Sequence, residues 1–294
     1  MGEDVRSDRE QGADIGTLPG PLVPADWLAA RLGAPGLLVL DASVGAHRGS
    51  GTRIAGARVF DIDGALSDPT APVPHTMPDA ARFTDGMRAL GLNDADTVVV
   101  YDAAGIYSSA RAWWMLRAMG FDRAAVLDGG LPAWTSAGLP VDEGAPGPVT
   151  ARGDFTARPR PGLLVDAGTV AAALADPDAA VLDARTRGRF EGTEPEPRAG
   201  LRGGHMPGSV NLPFGLLQDA GRMLPPGELR AAFAGAAGDR ERLYVSCGSG
   251  VTACVLALGA ELAGYRGTAV YDGSWSEWGL PSSDRPVATG AAAG

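Results

Sequence analysis

Lysine is absent from this chain: all 25 of its basic residues are arginine. Cysteine and histidine are almost as scarce, with two and three copies in 294 residues. The two thiols, Cys247 and Cys254, stand seven positions apart. At helical rise that is about two turns, too far for easy pairing. A disulfide framework is therefore excluded, which fits a reducing compartment and a cytoplasmic location. No Cys/His grouping has the spacing of metal ligands, so neither a metal nor another cofactor is expected. No apolar run approaches the roughly 20 residues of a membrane span. The first 20 residues are polar and acidic, without the basic and apolar regions of a secretory leader. Positive charge as a whole is also short. A net charge of -10 argues against a nucleic-acid binder and means that an anionic ligand needs a locally basic pocket.

What is present has an order. With 45% hydrophobic and 20% charged residues the composition is globular, and the length suits two domains. Val39-Leu40-Asp41-Ala42 returns as Val181-Leu182-Asp183-Ala184, an offset of 183 − 41 = 142. Ala125-Val126-Leu127-Asp128-Gly129 returns as Ala269-Val270-Tyr271-Asp272-Gly273, an offset of 272 − 128 = 144. Between them, Val98-Val99-Val100-Tyr101-Asp102 matches Leu243-Tyr244-Val245-Ser246-Cys247, an offset of 247 − 102 = 145. Any α/β chain yields apolar runs ending in aspartate, but three in order at matched spacing indicate a duplicated domain. The period is far too long for a solenoid. In the second copy the pattern predicts a helix over 165–174 and strands over 180–183, 208–213, 243–246 and 268–271. The fold class expected is α/β: two tandem domains, each a mostly parallel sheet covered by helices on both faces. The first domain is expected over 20–143, a Gly/Pro/Arg-rich linker over 144–161 and the second domain over 162–288. Flexible tails are expected at 1–19 and 289–294.

Residues 244–265 read YVSCGSGVTACVLALGAELAGY and carry the strongest chemical signal. An apolar run ends in Cys247, a glycine-rich turn follows, and a helical pattern begins at Val251 or Thr252. The thiol then lies between a strand end and a helix N-terminus, where free N–H groups converge and negative charge is favoured. Such a position favours the thiolate, the reactive form. Free cysteines are most often buried core. Gly248 and Gly250 argue otherwise for Cys247, because glycine lets backbone approach a bound group closely. Cys254, within the apolar helical run, reads as core. Asp102 occupies the cysteine's place in the first copy, without the Gly-Ser-Gly that follows it. One functional and one structural copy is the simplest inference.

These motifs resemble the tandem-domain rhodanese sulfurtransferases. The loop CGSGVT at 247–252 is similar to the 3-mercaptopyruvate sulfurtransferase branch, whereas the thiosulfate branch carries a basic pair after the cysteine. Further likenesses are GRFEGTEPEPR at 188–198, GHMPGS at 204–209, YDGSWSEW at 271–278, and, in the first copy, FDID at 60–63 with His75. Residues 44–53 depart from the family pattern: the segment is short, and RIAG stands at 53–56 where the family often has His-Ile-Pro-Gly. The resemblance implies that Cys247 takes sulfur from a small-molecule donor as a persulfide and passes it to a thiol such as thioredoxin, or to cyanide. It implies that Arg189 and Arg198 bind the donor's carboxylate, for which a planar guanidinium is suited. Surface pairing with Glu191, Glu194 and Glu196 is the competing reading for both arginines. Ser249, Asp63 and His75 are implied to move protons around Cys247, with His75 the natural shuttle near neutral pH. Gly248, Gly250 and Val251 would supply backbone N–H groups to the ligand, and Thr252, also counted with the substrate-binding residues, would cap the helix. His205 and His47 read as structural and loop residues. Trp275 and Trp278 are expected at the edge of the site, and Trp113 and Trp114 as core in the equivalent helix of the first copy.

Other classes fit less well. GSGVTA at 248–253 matches a dinucleotide fingerprint, but only 22 residues follow Asp272, too few for the further βαβ units of that fold. A cysteine phosphatase needs an arginine six residues after its nucleophile, where this chain has Ala253. Thiosulfate as donor, and a non-catalytic persulfide carrier, remain as alternatives.

Overall fold

The computed structural model describes residues 15–49 and 51–291. In the first half the chain forms β1 (Leu22–Val23), α1 (Ala25–Ala29), β2 (Leu37–Asp41), β3 (Thr52–Ile54), β4 (Arg58–Val59), α2 (Ala80–Ala89), β5 (Thr97–Tyr101), α3 (Ser109–Ala118), β6 (Ala124–Leu127), α4 (Gly130–Ser136) and β7 (Val141–Glu143). The second half adds β8 (Leu164–Val165), α5 (Ala167–Leu174), β9 (Ala179–Asp183), α6 (Arg187–Glu191), β10 (Val210–Asn211), the pair β11 (Gln218–Asp219) and β12 (Arg222–Met223), α7 (Pro226–Ala237), β13 (Arg242–Ser246), α8 (Ala253–Leu262), β14 (Gly267–Tyr271) and α9 (Ser274–Trp278).

Each half holds a five-stranded parallel sheet, ordered β1-β6-β5-β2-β4 and β8-β14-β13-β9-β10. The two orders correspond strand for strand, so the internal repeat seen in the sequence is a repeat of topology. The interior strands β5 and β9 are buried at every position, as expected of sheets covered on both faces. Asp79 and Asp166 open α2 and α5 by accepting the Arg82 and Thr169 amides at 2.7 and 2.8 Å. Asp166 thereby moves the start of the helix expected at 165: Leu164 and Val165 belong to the sheet instead. The strand expected over 208–213 shrinks to Val210–Asn211.

The domains meet along α3 and α8, the helices that follow the two corresponding loops. Nine of the ten residues of α3 and eight of the ten of α8 are buried, and helices apolar on all sides are interior helices. A continuous set of buried side chains runs from Phe60, just past β4, and Val100 of β5 through Trp114 and Val255 to Val245 in the other sheet. Polar ties reinforce it. Arg117 of α3 pairs with Glu261 of α8 at 3.1 Å, and the β11–β12 hairpin reaches the first domain, the Met223 amide donating to Asp128 at 3.1 Å.

Residues 144–161, expected as a linker, are strapped to the first domain. The Phe155 and Arg158 amides donate to Leu92 and Met119 carbonyls, and the Phe155 ring is buried against Phe83 and Phe121. The expected tails lie partly outside the described residues (1–14 and 292–294). Where they are described they are engaged: Arg31 donates to the Ile15 carbonyl at 2.9 Å, and the Gly290 amide to Glu191. Trp113 and Trp114 are core, but their helix matches α8. The first-copy counterpart of Trp278 is Trp134 in α4, at an offset of 278 − 134 = 144.

In the first domain Asp102 is fully buried, and its carboxylate accepts the amides of Ala104, Tyr107, Ser108 and Ser109 at 2.8–2.9 Å. Asp102→Ala leaves that ring of donors unfilled and is expected to destabilise the protein by about 3 kcal/mol. Denaturant unfolding measures this; an unchanged midpoint would show that the ring finds other acceptors.

Candidate functional site

Cys247 directly follows β13, beyond the C-terminal end of the sheet, and lies 1% exposed at the base of a cavity of about 500 Å³ between the domains. The second domain contributes Arg189, Glu196, Arg198 and the loop from Cys247 to Thr252, except Gly250. The first contributes Asp63, His75, Tyr107 and the turn at Val44 to His47. Parallel sheets place their ligand sites here, outside the strand C-termini.

The start of α9 clamps the cysteine loop. Ser274 Oγ accepts the amides of Cys247 and Gly250 at 3.1 Å each, and donates to the Tyr271 carbonyl at 2.8 Å. The Trp275 and Ser276 amides donate to the carbonyls of Cys247 and Gly248 at 3.0 and 2.8 Å. With those carbonyls turned away, the amides of Gly248, Ser249, Val251 and Thr252 make no hydrogen bond to protein among the described residues. Gly250 departs from the expectation that it offers an N–H to the ligand: Ser274 takes that N–H. Its role is conformational, with φ at +75° and space for a Cβ closed by the Asp272 carbonyl at 2.8 Å. Thr252 stands at the N-cap of α8 but makes no side-chain cap bond.

The loop in the first domain shows what such a turn can hold. It is one residue longer before its helix, so Tyr107 and Ser108 correspond to Val251 and Thr252. Their amides grip the Asp102 carboxylate. An Oδ atom of aspartate lies three bonds from Cα, the same count as the outer sulfur of a cysteine persulfide.

His75 spans the domain boundary. Its Nδ1 lies 2.9 Å from Ser249 Oγ and its Nε2 3.0 Å from Asp63 Oδ1. Asp63 is fixed in turn by the Gly45 amide at 2.9 Å. A carboxylate accepts only, so Nε2 carries the proton and Nδ1 is left to accept from the Ser249 hydroxyl. Burial pushes the His75 pKa below the ordinary 6.5; the Asp63 hydrogen bond opposes this, and the Arg198 charge adds to the lowering. Cys254 is fully buried in α8 and donates to the Gly250 carbonyl at 3.3 Å; burial pushes its pKa up to about 12. It is an inert thiol.

The two arginines differ. Arg189 is half-buried and pairs two-pronged with Glu196, at 3.2 and 2.6 Å, while Arg185 takes the same carboxylate at 2.7 Å. Arg185 also pairs with Asp183 and lies 4.3 Å from the centroid of the Trp275 ring. The competing reading of Arg189 as a partner of Glu196 is thus present in the structure, but at the cavity wall. Arg198 is more exposed and donates to Ser276 Oγ at 3.2 Å. Trp275 and Trp278 are buried behind this wall, and His205 stacks on Phe190 at 3.8 Å.

Sequence reasoning missed Tyr107, Glu196 and Ser274. Tyr107 carries no motif of its own; only its offset from the cysteine loop pointed to it. Glu196 was visible merely as a possible surface partner, and Ser274 as one letter of a family motif.

Duplicated parallel sheets with one cysteine-bearing turn define a class, and both halves match its domain description: the rhodanese-like domain covers residues 24–137 and 166–280. The chain belongs to the rhodanese family. More particularly, it is 38% identical to 3-mercaptopyruvate sulfurtransferase of Escherichia coli K12, over 90% of this chain and 96% of that protein. It is 42% identical to human 3-mercaptopyruvate sulfurtransferase, over 87% and 91%. The crystal structure of SseA from Escherichia coli matches with a TM-score of 0.77 at 37% identity, covering 87% of this chain and 99% of that one.

Gly250→Ala tests the loop. A left-handed conformation and a blocked Cβ are expected to lower sulfur-transfer activity by more than about tenfold and stability by about 1–3 kcal/mol. Parental turnover with parental melting would show that the loop tolerates another conformation.

Proposed function

We propose that the protein is a sulfurtransferase that takes sulfur from 3-mercaptopyruvate through a Cys247 persulfide, releases pyruvate, and delivers the sulfur to a thiol acceptor such as thioredoxin, or to cyanide in assay. The observation that carries this reading is the open set of loop amides around Cys247, matched by the ring that already binds a carboxylate in the first domain.

The donor's carboxylate is held by Arg198 and by the free edge of Arg189, whose other edge Glu196 occupies. The Cys247 thiolate attacks the donor's sulfur. The carbon–sulfur bond breaks and its electron pair passes to the enolate of pyruvate. The proton that leaves the donor's thiol returns to the enolate carbon by way of Ser249 and His75, with Asp63 orienting the imidazole. The new S–S bond leaves an anionic outer sulfur, which the amides of Val251 and Thr252 are placed to hold. An acceptor thiolate then attacks that outer sulfur and frees Cys247. Tyr107 stays protonated, because burial and then the Cys247 charge push its pKa up, and so offers a hydroxyl donor to the donor's ketone.

No charged group in the cysteine loop awaits a second anionic centre, which favours mercaptopyruvate over thiosulfate. Among the described residues no helix is long and apolar enough to cross a membrane. With two unpaired thiols, a cytoplasmic site of action fits.

Cys247→Ser is expected to abolish turnover, and mass spectrometry after donor alone should find about 32 Da added on Cys247, the covalent intermediate. Substantial turnover by the serine variant would falsify the mechanism. Arg189→Ala and Arg198→Ala should each raise KM for mercaptopyruvate about tenfold or more, with smaller effects on kcat. Unchanged kinetics in both remove the carboxylate clamp.

The His75 shift sets a pH dependence. A base with a lowered pKa stays neutral to lower pH. The acid limb of kcat/KM is therefore expected below 6.5, the ordinary imidazole value, activity falling as pH drops through it. A limb above that value, or one that persists in His75→Ala, assigns it to another group.

A further inference from the structure

His75 reaches Ser249 from a proline-rich loop of the other domain, in a backbone conformation that opposes it: its φ is +60°, rare for a residue with a side chain. Something must hold the loop there. The His75 carbonyl accepts from Arg111 Nη2 at 2.8 Å, and the same nitrogen donates to Asp272 Oδ1 at 2.6 Å. The other oxygen of Asp272 accepts the Met77 amide at 2.8 Å. Arg111 belongs to the first domain and Asp272 to the second. The loop is therefore gripped at His75 and again two residues beyond it, and the second grip is the carboxylate whose own backbone carbonyl closes over Gly250.

Arg111 is fully buried, and its Nε and Nη1 find no acceptor of hydrogen-bond geometry. A buried ion pair with unsatisfied donors is a poor stabiliser, and apolar residues of similar volume would serve packing as well or better. Its geometric effect is specific. It fixes the loop that carries His75 to the strand end that backs the cysteine loop, and so sets the 2.9 Å separation between imidazole and Ser249.

Building on the relay read above, we infer that Arg111 and Asp272 form a cross-domain positioning pair, which holds His75 in register with Ser249 and touches neither substrate nor sulfur. Proton transfer depends steeply on such register, since about 1 Å of misplacement can cost roughly 100-fold in rate. Substrate binding at Arg189 and Arg198 lies on a different wall and is independent of the pair.

The experiment is a double-mutant cycle in the full-length protein with mercaptopyruvate as donor and cyanide as acceptor. Asp272→Asn keeps the shape of the side chain and removes the charge. It is expected to lower kcat about tenfold or more while KM changes less than about twofold. His75→Ala alone should lower kcat about 100-fold. The double variant should be no slower than His75→Ala, because the pair acts only through the imidazole. Arg111→Lys, which keeps the charge, should retain more kcat than Arg111→Met. Circular dichroism and the melting temperature confirm that each variant is folded. If Asp272→Asn slows the His75→Ala enzyme by the same factor as the parent, the pair does not act through His75 and the inference is lost while the relay stands. A rise in KM with unchanged kcat also overturns it. If His75→Ala itself turns over at the parental rate, the relay falls and takes the inference with it.

Discussion

The site depends on a domain boundary built from two buried helices. α3 and α8 are apolar almost all round and bury one another, so the two sheets share one core. Groups far apart in sequence therefore stand at fixed separations. His75 and Ser249, 174 positions apart, meet at 2.9 Å. Had the domains been joined by a polar, mobile interface, that distance would fluctuate with their hinge motion. Here stiff packing fixes the two domains as a frame, on which the Arg111–Asp272 contact holds the loop that carries His75. The strap over 144–161 and the β11–β12 hairpin work in the same direction.

Electrostatics are arranged against the grain of the composition. In a chain of net charge -10, the cavity concentrates arginine and divides its single buried carboxylate between two of them. Glu196 is shared by Arg185 and Arg189 while Arg185 also pairs with Asp183, so each guanidinium stays oriented, and among the described residues Arg198 has no carboxylate partner in the wall. Arginine suits this because its planar fork can hold Glu196 on one edge and present another edge to the cavity. The absence of lysine therefore costs the site nothing.

Much of the architecture was legible in the sequence because it rests on local signals. Buried strands such as Thr97–Tyr101 and Ala179–Asp183 are continuous apolar runs, and the repeat of three such runs exposed the duplication. Cys247 was legible because its strand, glycine turn and helix are contiguous. The misreadings were also local: Val165 was drawn into a helix that Asp166 starts one residue later, and Trp113 was matched to the wrong element in place of Trp134. The contacts that assemble the cavity had no such signal. Ser274 beneath the loop, Tyr107 at the rim and Arg111 behind His75 act across the interface or through backbone amides and carbonyls, and neither periodicity nor spacing encodes that. Family likeness supplied His75 and Asp63 as names; their meeting with Ser249 is a property of the packed pair of domains.

The aspartate in the first domain has a consequence for stoichiometry. Its carboxylate sits where a sulfane sulfur would ride and is tethered there by its own carbon chain. That lobe is thus a permanently loaded cradle, rigid because its anion never departs. On the proposed mechanism the twin lobe would be emptied and refilled at every cycle and would have to tolerate both states. Duplication then divides the labour between a fixed buttress and a working cup, and on that mechanism the polypeptide would carry one transferable sulfur at a time.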